Sequence, residues 1–199
     1  MADNQLQFEQ LVAAVVKIHS ESSTYAKKAI NLGLTLRNWT IGCYIAEYEL
    51  RGEDRAQYGD KLLSSLANEL AGQKVSNCNR RQLYRYLKFY RTFPAIVGAL
   101  SPQFVGLLPK TVVSKKVGAL TPQSIDAVKP ILENLSYTHI EQIVDLDDEP
   151  KRNFYFSQCV QGSWSVRELK RQIASLYYER SGLSTDSRTL AEGVSIGIT

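Results

Sequence analysis

The 199-residue chain has ordinary globular composition, with 44% hydrophobic residues, 22% charged residues and a formal net charge of +4. This composition excludes wholesale disorder. No apolar run approaches the roughly 20 residues that a membrane span needs, and the N-terminus has no secretory pattern. Cys43, Cys78 and Cys159 have no partner at zinc-ligand spacing and suggest no disulfide framework. We therefore expect a cytoplasmic protein with reduced thiols, no metal or other cofactor, and no membrane or small-molecule partner.

The charge is unevenly distributed along the chain. Residues 70–125 contain nine Lys or Arg and no Asp or Glu, so this segment carries +9 and the rest carries −5. Such a local positive field is typical of a protein that binds a polyanion, most often nucleic acid. The alternative is a solvated basic face that lies beside an acidic one.

Helical periodicity dominates the N-terminal quarter. Apolar residues recur at three- and four-residue steps up to Ile18, which predicts an amphipathic first helix. The SESS run at residues 20–23 offers N-cap residues, and a second helical pattern follows from about Thr24 to Leu50. The pattern predicts a long helical hairpin over residues 1–52. The second helix has apolar residues on more than one side, and the first helix does not cover all of them. We therefore expect a homodimer through the hairpin.

Residues 53–120 have the outline of a helix-turn-helix. A short helix from about Asp60 to Leu70 is followed by a glycine-bearing turn. Asn79 and Gln82 then resemble a capping box that opens a basic helix ending near Thr92. The prolines and glycines among Val, Leu and Lys at 95–120 predict either short β segments, as in a wing, or an irregular excursion.

The remaining elements form a predicted helical subdomain over residues 121–182. Caps at Thr121, Ser136, Asp148 and Ser165 each start a helix, and the last helix should end near Gly182. From Leu183 the chain is rich in Ser, Thr and Gly, which predicts a disordered tail or a linker over 183–199. The predicted fold class is therefore mainly α: a helical hairpin, a helix-turn-helix that is winged if β segments form, and a C-terminal helical subdomain.

The helix at residues 80–92 carries the candidate DNA-binding residues. On a helical wheel, an apolar side formed by Leu83, Tyr86, Leu87 and Tyr90 lies opposite a cationic arc of about 120°. The candidate contacts, all predicted to be exposed in the arc, are Arg81, Tyr84, Arg85, Lys88 and Arg91, together with the neighbouring Arg80. Arginine can pair with guanine edges, arginine and lysine can contact phosphates, and tyrosine can stack on a base. The alternative is a solvated helix face whose long cations cover apolar neighbours.

Five segments occur in a characteristic order: RNWTIGCYIAEYE, QYGDKLLSSLANEL, NRRQLYRYLKFYRTFP, LSYTHIEQIVDLDDEPKRNFY and GSWSVRELKRQIASLYYERSGLS. Over roughly residues 8–185 the chain resembles the N-terminal region of the bacterial YhcG-type family of PD-(D/E)XK nucleases. The resemblance implies a helical module with a winged helix-turn-helix, and a nuclease domain that would begin beyond about residue 185. It also implies that Tyr58 and Gly59 open the motif's first helix. Leu83, Phe89, Tyr90 and Pro94 would mark the recognition helix and its end, and residues 164–173 the closing helix.

Nuclease chemistry is not predicted within these residues. A PD-(D/E)XK core needs carboxylates and a lysine on a strand to hold Mg²⁺ and assist water. The triplets Glu149-Pro150-Lys151 and Glu168-Leu169-Lys170 lie on predicted helices, and no Pro-Asp dipeptide precedes either, so we assign no catalytic residue. Whether the chain is truncated or a natural stand-alone version stays open. We expect a DNA-binding, non-catalytic module; the alternative is a protein–protein interaction or oligomerisation module that does not bind DNA.

Overall fold

A computed structural model of the chain describes residues 8–51, 58–112 and 122–182. Its helices are α1 (Phe8–Arg51), α2 (Tyr58–Gly72), α3 (Arg80–Thr92), a 3₁₀ helix (Pro94–Ala99), α4 (Pro102–Val105), α5 (Pro122–Asn134), α6 (Tyr137–Val144), α7 (Glu149–Gly162), α8 (Val166–Ala174) and α9 (Tyr177–Arg180). No strand occurs in these ranges. The predicted mainly α fold class is confirmed.

The N-terminal helix differs from the predicted hairpin. α1 is one unbroken helix of 44 residues, so the break predicted at residues 20–23 is wrong. The Ser20 hydroxyl donates to the carbonyl of Lys17 and the Thr24 hydroxyl donates to that of Ser20, both at 2.9 Å. Hydroxyls that bond to carbonyls three or four residues back are compatible with a continuing helix. These residues therefore lie inside the helix instead of capping a new one.

The core is built around α3. This helix packs against the C-terminal half of α1 and also contacts α2 and α6. Trp39 of α1 is fully buried, and its indole Nε1 donates to the carbonyl oxygen of Phe93 at 2.9 Å. Asn31 joins α1 to the start of α6: its Nδ2 donates to the Leu135 carbonyl at 2.9 Å. The half of α1 that precedes Asn31 is exposed to solvent, apart from half-buried Ser23.

Where the structure describes it, the region predicted to be β or irregular consists of short helical segments joined by irregular turns. The 3₁₀ helix and α4 each begin with a proline, at a position where the missing N–H is not needed. Between residues 94 and 112 there is no strand, so the β expectation is wrong for this part. Ile96, Val97, Leu108 and Val112 reach the core from these short turns. Residues 113–121, the rest of the expected wing, lie outside the described residues.

The C-terminal helices begin where their caps predict. α6 follows Ser136, α7 follows Asp148 and α8 follows Ser165. The prediction of one last helix that runs to Gly182 is wrong, because the chain breaks at Leu176, which has a φ of 54°. The hydroxyl of buried Tyr155 donates to the Gln172 carbonyl at 3.2 Å and accepts from the backbone N–H of Tyr178 at 3.3 Å. The Tyr155 hydroxyl therefore bonds to backbone groups on both sides of the break at Leu176. The tail from residue 183 lies outside the described residues.

The three cysteines are buried and none forms a disulfide. Burial raises the pKa of the Cys159 thiol to about 12, so this residue remains a thiol at neutral pH. Among the described helices, none has both the length and the apolar content that would let it cross a membrane.

Candidate nucleic-acid interface

α3 begins and ends where the sequence predicts. Asn79 is the N-cap, and its side-chain oxygen accepts from the backbone N–H of Gln82 at 3.0 Å. The Gln82 side chain does not complete the capping box, since its Nε2 donates to Glu141 of α6 at 3.0 Å. The predicted apolar side is confirmed: Leu83, Tyr86, Leu87 and Tyr90 are all buried.

The turn between α2 and α3 is fixed by side chains from two helices. Arg37 of α1 donates from Nη2 to the carbonyl of Ser76 at 3.1 Å. The Tyr86 hydroxyl of α3 donates to the carbonyl of Asn77 at 2.6 Å. Lys74 and Asn77 both have a φ of 58°, the left-handed conformation that tight turns use and that Asn adopts more readily than Lys. The turn is thus held firmly against the body of the protein and places Lys74 in solvent.

The N-terminal end of α3 presents exposed polar groups, as predicted. Arg80 and Arg81 are exposed and the Tyr84 ring is 53% exposed. Arg81 and Tyr84 are three residues apart and so share one face of the helix. Within residues 8–51, 58–112 and 122–182, neither Lys74 nor Arg81 forms an ion pair. We call Lys74, Arg80, Arg81 and Tyr84 the basic patch.

An open groove adjoins the basic patch. Its volume is about 520 Å³, and one wall is a face of α2 made of small residues, which are Ser64, Ala67, Asn68 and Ala71. The other wall runs along the turn from Val75 to Arg80. The patch therefore lies at the edge of a concave surface and not on an isolated helix tip.

Arg85 is the clear exception to the predicted exposed arc. Its relative exposure is 9%, so the prediction that it faces solvent is wrong. The guanidinium forms a fork with Asp145, with Nη2–Oδ2 at 2.5 Å and Nε–Oδ1 at 3.3 Å, and Nη1 also pairs with Glu141 Oε1. Burial alone would lower the pKa of Arg85, but the hydrogen bonds and charges of the two carboxylates raise it above its ordinary value. Arg85 therefore ties α3 to α6.

The two cations further along the arc are also paired. Lys88 Nζ lies 3.2 Å from Asp147 Oδ1, and the lysine side chain is 24% exposed. Arg91 Nη2 lies 2.7 Å from Glu49 Oε2 of α1. Arg91 remains exposed, as predicted, whereas Lys88 is only partly so. Carboxylates from other elements thus neutralise the C-terminal part of the arc and leave its N-terminal part cationic.

Sequence reasoning missed these carboxylates as partners of α3. Asp145 and Asp147 lie in the connection between α6 and α7, which Arg152 holds by donating from Nη1 to the carbonyls of Leu146 (2.8 Å) and Asp147 (3.0 Å). The available signal was the charge balance, because the chain outside the +9 segment carries −5 and therefore offers acidic partners. The partners are 56–60 residues away from Arg85, a separation that no local pattern reveals.

Neither E-x-K triplet has the setting of a nuclease core. Both lie on helices, α7 and α8, as predicted. Lys151 pairs with Glu179 of α9, and Glu168 accepts from Arg171 at 2.7 Å and from Gln172 at 2.6 Å. In the part of the chain that the structure describes, no three His, Cys, Asp or Glu lie close enough to hold a metal ion.

These features define a mainly helical domain whose central helix is basic at its exposed N-terminal end. Residues 14–180 match the family described as DUF1016 N-terminal domain, and the chain belongs to this family. It is similar to an Escherichia coli (strain K12) protein named Putative nuclease YhcG, with 27% identity over 191 residues. The match covers 93% of this chain and 49% of that protein, so the chain spans about half the length of this curated relative. The predicted resemblance is confirmed. No solved structure matches the chain.

Proposed function

We propose that this chain is a DNA-binding, non-catalytic module of a nuclease-like protein, and that the basic patch contacts the DNA. The observation that carries the proposal is the exposed face shared by Arg81 and Tyr84 at the start of α3. The name of the E. coli relative, Putative nuclease YhcG, is consistent with a nucleic-acid partner. We interpret α2, the fixed turn and α3 as a helix-turn-helix in which the N-terminal residues of α3 approach the bases first.

The charges of α3 give its residues different parts in this proposal. Lys74 and Arg81 form no ion pair with the described residues and can contact phosphates or base edges, and the exposed Arg80 lies beside them. Tyr84 can stack on a base or donate to a phosphate. Lys88 and Arg91 are already paired with Asp147 and Glu49, which partly neutralise their charge, so their contribution to DNA binding should be smaller. Arg85 positions the helix and does not contact DNA.

Binding of duplex, branched and single-stranded DNA over a salt series tests this proposal. In fluorescence anisotropy, Arg81→Ala should flatten the slope of log K against log salt by about one unit. It should also cost about 1–3 kcal/mol if the side chain reads a base edge. Lys27→Ala removes one exposed charge from the N-terminal half of α1, outside the basic patch, and should leave both quantities nearly unchanged.

Two results would count against DNA binding by the basic patch. One is the absence of salt-sensitive binding by the parent chain. The other is unchanged affinity in a folded variant that lacks Lys74, Arg80 and Arg81 together. Tyr84→Phe then separates the two roles of the tyrosine, because it retains the stacking ring and removes the hydroxyl.

The non-catalytic part of the proposal has its own experiment. Purified chain should not cut DNA with Mg²⁺ or Mn²⁺, since Lys151 and Glu168 are held in helical ion pairs. Reproducible cleavage that Glu149→Ala or Glu168→Ala abolishes would overturn this part and leave DNA binding untouched. A cytoplasmic location remains a prediction.

A second role, as an oligomerisation module, is favoured by a different observation. Large apolar side chains on the N-terminal half of α1 are exposed, among them Phe8 at 78% and Tyr25 at 77%. An amphipathic helix that projects from a core in this way typically pairs with another helix. We propose a homodimer through α1, as the sequence predicts, and this role is compatible with DNA binding.

A further inference from the structure

One heptad register along α1 holds mostly apolar side chains, with Ser22 as its polar exception. Val12, Val16, Ile30 and Leu34 are exposed apolar residues outside this register. When Phe8 is taken as position a of a heptad labelled a to g, alternating steps of three and four residues give the d and a positions in turn. These positions lie along one side of the helix over its whole length. The exposed members, which we call the α1 seam, are Phe8, Leu11, Val15, Ile18, Ser22, Tyr25, Ala29 and Leu32. The same register continues into Leu36, Trp39, Cys43 and Ala46, which are buried in the core of the protein. The seam is therefore the uncovered continuation of an interface that the C-terminal half of α1 already uses.

The exposed half of α1 is poorly suited to be a helix on its own. Residues 8–30 contain five β-branched apolar residues and the run SESST, and both kinds of residue have below-average helix propensity. In proteins, most of the stability of a helix comes from packing of an apolar face and not from its intrinsic propensity. A second helix along the seam would supply that packing.

The charged residues beside the seam discriminate between the two orientations of a pair. Glu21 and Lys28 both occupy the g position of the heptad, whereas the e positions hold Val12, His19, Ala26 and Gly33. In a parallel pair, g faces e of the other helix, so Glu21 and Lys28 would face small neutral residues. In an antiparallel pair, g faces g, and opposite charges can meet.

We propose that residues 15–32 of α1 form an antiparallel coiled coil with the same residues of a second copy of the chain. The register that places Glu21 opposite Lys28 of the second copy also places Val15 opposite Leu32, Ile18 opposite Ala29 and Ser22 opposite Tyr25. Each core layer thus combines an a residue with a d residue, as antiparallel packing requires. Leu36 and Trp39, the next positions of this register, are buried in the body of each copy, so residues 8–14 of the second copy must leave the seam there. The two-fold axis passes between residues 23 and 24. This inference rests on the oligomerisation role above and not on DNA binding.

Disulfide formation between two single-cysteine variants tests the orientation and the register. Ile18→Cys and Ala29→Cys should form a linked dimer when mixed under mild oxidation, whereas neither should link to itself. In the proposed register, residue 18 of one copy lies opposite residue 29 of the other. The two residues 18 are therefore 11 residues apart along the helix axis, about 16 Å at 1.5 Å per residue. That offset exceeds the roughly 7 Å Cα separation that a disulfide tolerates. The parent chain, whose three cysteines are buried, is the control.

A charge exchange tests the same register without cross-linking. Glu21→Lys and Lys28→Glu should each weaken the dimer about tenfold at low salt, because each replaces two attractions with two repulsions. The double variant should restore the parent affinity. An equimolar mixture of the two single variants should form a heterodimer.

Each alternative result decides against the proposal. Self-linkage of Ile18→Cys would show a parallel pair or a different antiparallel register, and a dimer that the mixed cysteines fail to link would show another register or surface. Light scattering that shows a monomer at tens of micromolar would remove the dimer altogether. The salt series with Arg81→Ala reports DNA binding separately, so loss of one function is distinguishable from loss of the other.

Discussion

The Cα of Gly42 on α1 lies so close to α3 that a β-carbon there would be 2.0 Å from the carbonyl oxygen of Tyr86. Real β-carbons do not approach backbone atoms to that distance, so only glycine allows the two helices to cross here. The crossing places Leu83 and Tyr86 in the core and thereby directs the N-terminal end of α3 to solvent. One glycine on α1 thus helps to determine which residues of the basic helix are accessible.

We expect Gly42→Ala to destabilise the protein by about 1–3 kcal/mol or more, because α1 and α3 must separate to accept the methyl group. Urea unfolding followed by circular dichroism measures this change. Gly33→Ala is the matched control on the same helix. No atom lies within 4 Å of its added β-carbon, so it should stabilise the protein by about 0.5–1 kcal/mol. Equal stabilities of the two variants would contradict the close crossing.

Local signals predicted most of the helices, and tertiary contacts account for the failures. The N-caps Asn79 and Ser165 each accept from a backbone N–H three residues later, and the helices that they open begin where expected. At the break at Leu176, the backbone groups on either side bond to Tyr155, a side chain from another helix. The sequence likewise predicted the exposure of Arg81 but not the burial of Arg85, because only the fold brings Glu141 and Asp145 to α3.

Arg85→Ala should impair folding and not DNA contact. The Arg85 and Glu141 side chains are only 10% and 14% exposed, so removing the guanidinium leaves a nearly buried carboxylate without its cation. Breaking such a pair costs about 3–5 kcal/mol, which urea unfolding would reveal. Arg81→Ala, on the exposed side of the same helix, should change stability by less than about 0.5 kcal/mol. A stable Arg85→Ala protein with weakened DNA binding would reverse this assignment.

Tyr155→Phe should loosen the junction between α8 and α9. The substitution retains the buried ring but removes the hydroxyl that bonds the Gln172 carbonyl and the Tyr178 amide. Leaving these two backbone groups without a partner should cost about 1–3 kcal/mol. Hydrogen exchange should be faster at the Tyr178 amide in particular. Tyr177→Phe changes a neighbouring half-buried tyrosine and retains the ring that packs against Phe154 and Trp164, so it should have little effect on either measurement.

His139 should make folding stability depend on pH above the range in which carboxylates titrate. Its Nδ1 accepts from the backbone N–H of Ser136 at 3.2 Å, and its Nε2 lies 3.0 Å from the carbonyl of Trp164. These contacts fit the neutral ring with the proton on Nε2, where it donates to Trp164. Burial lowers the pKa of His139 from its usual 6.5, and the hydrogen bond to Trp164 opposes this shift only in part.

The direction of that shift fixes the expected pH dependence. Because the unfolded chain takes up the proton first, the contribution of His139 to stability is fully present above about pH 6.5. It decreases as the pH falls from there towards the lowered pKa of the folded state, by at most about 1.4 kcal/mol per pH unit. Urea unfolding between pH 7.5 and 5.5 measures this slope. His139→Gln should flatten it, whereas His19→Gln, on the exposed half of α1, should preserve it. An unchanged slope in His139→Gln would assign the dependence to another group.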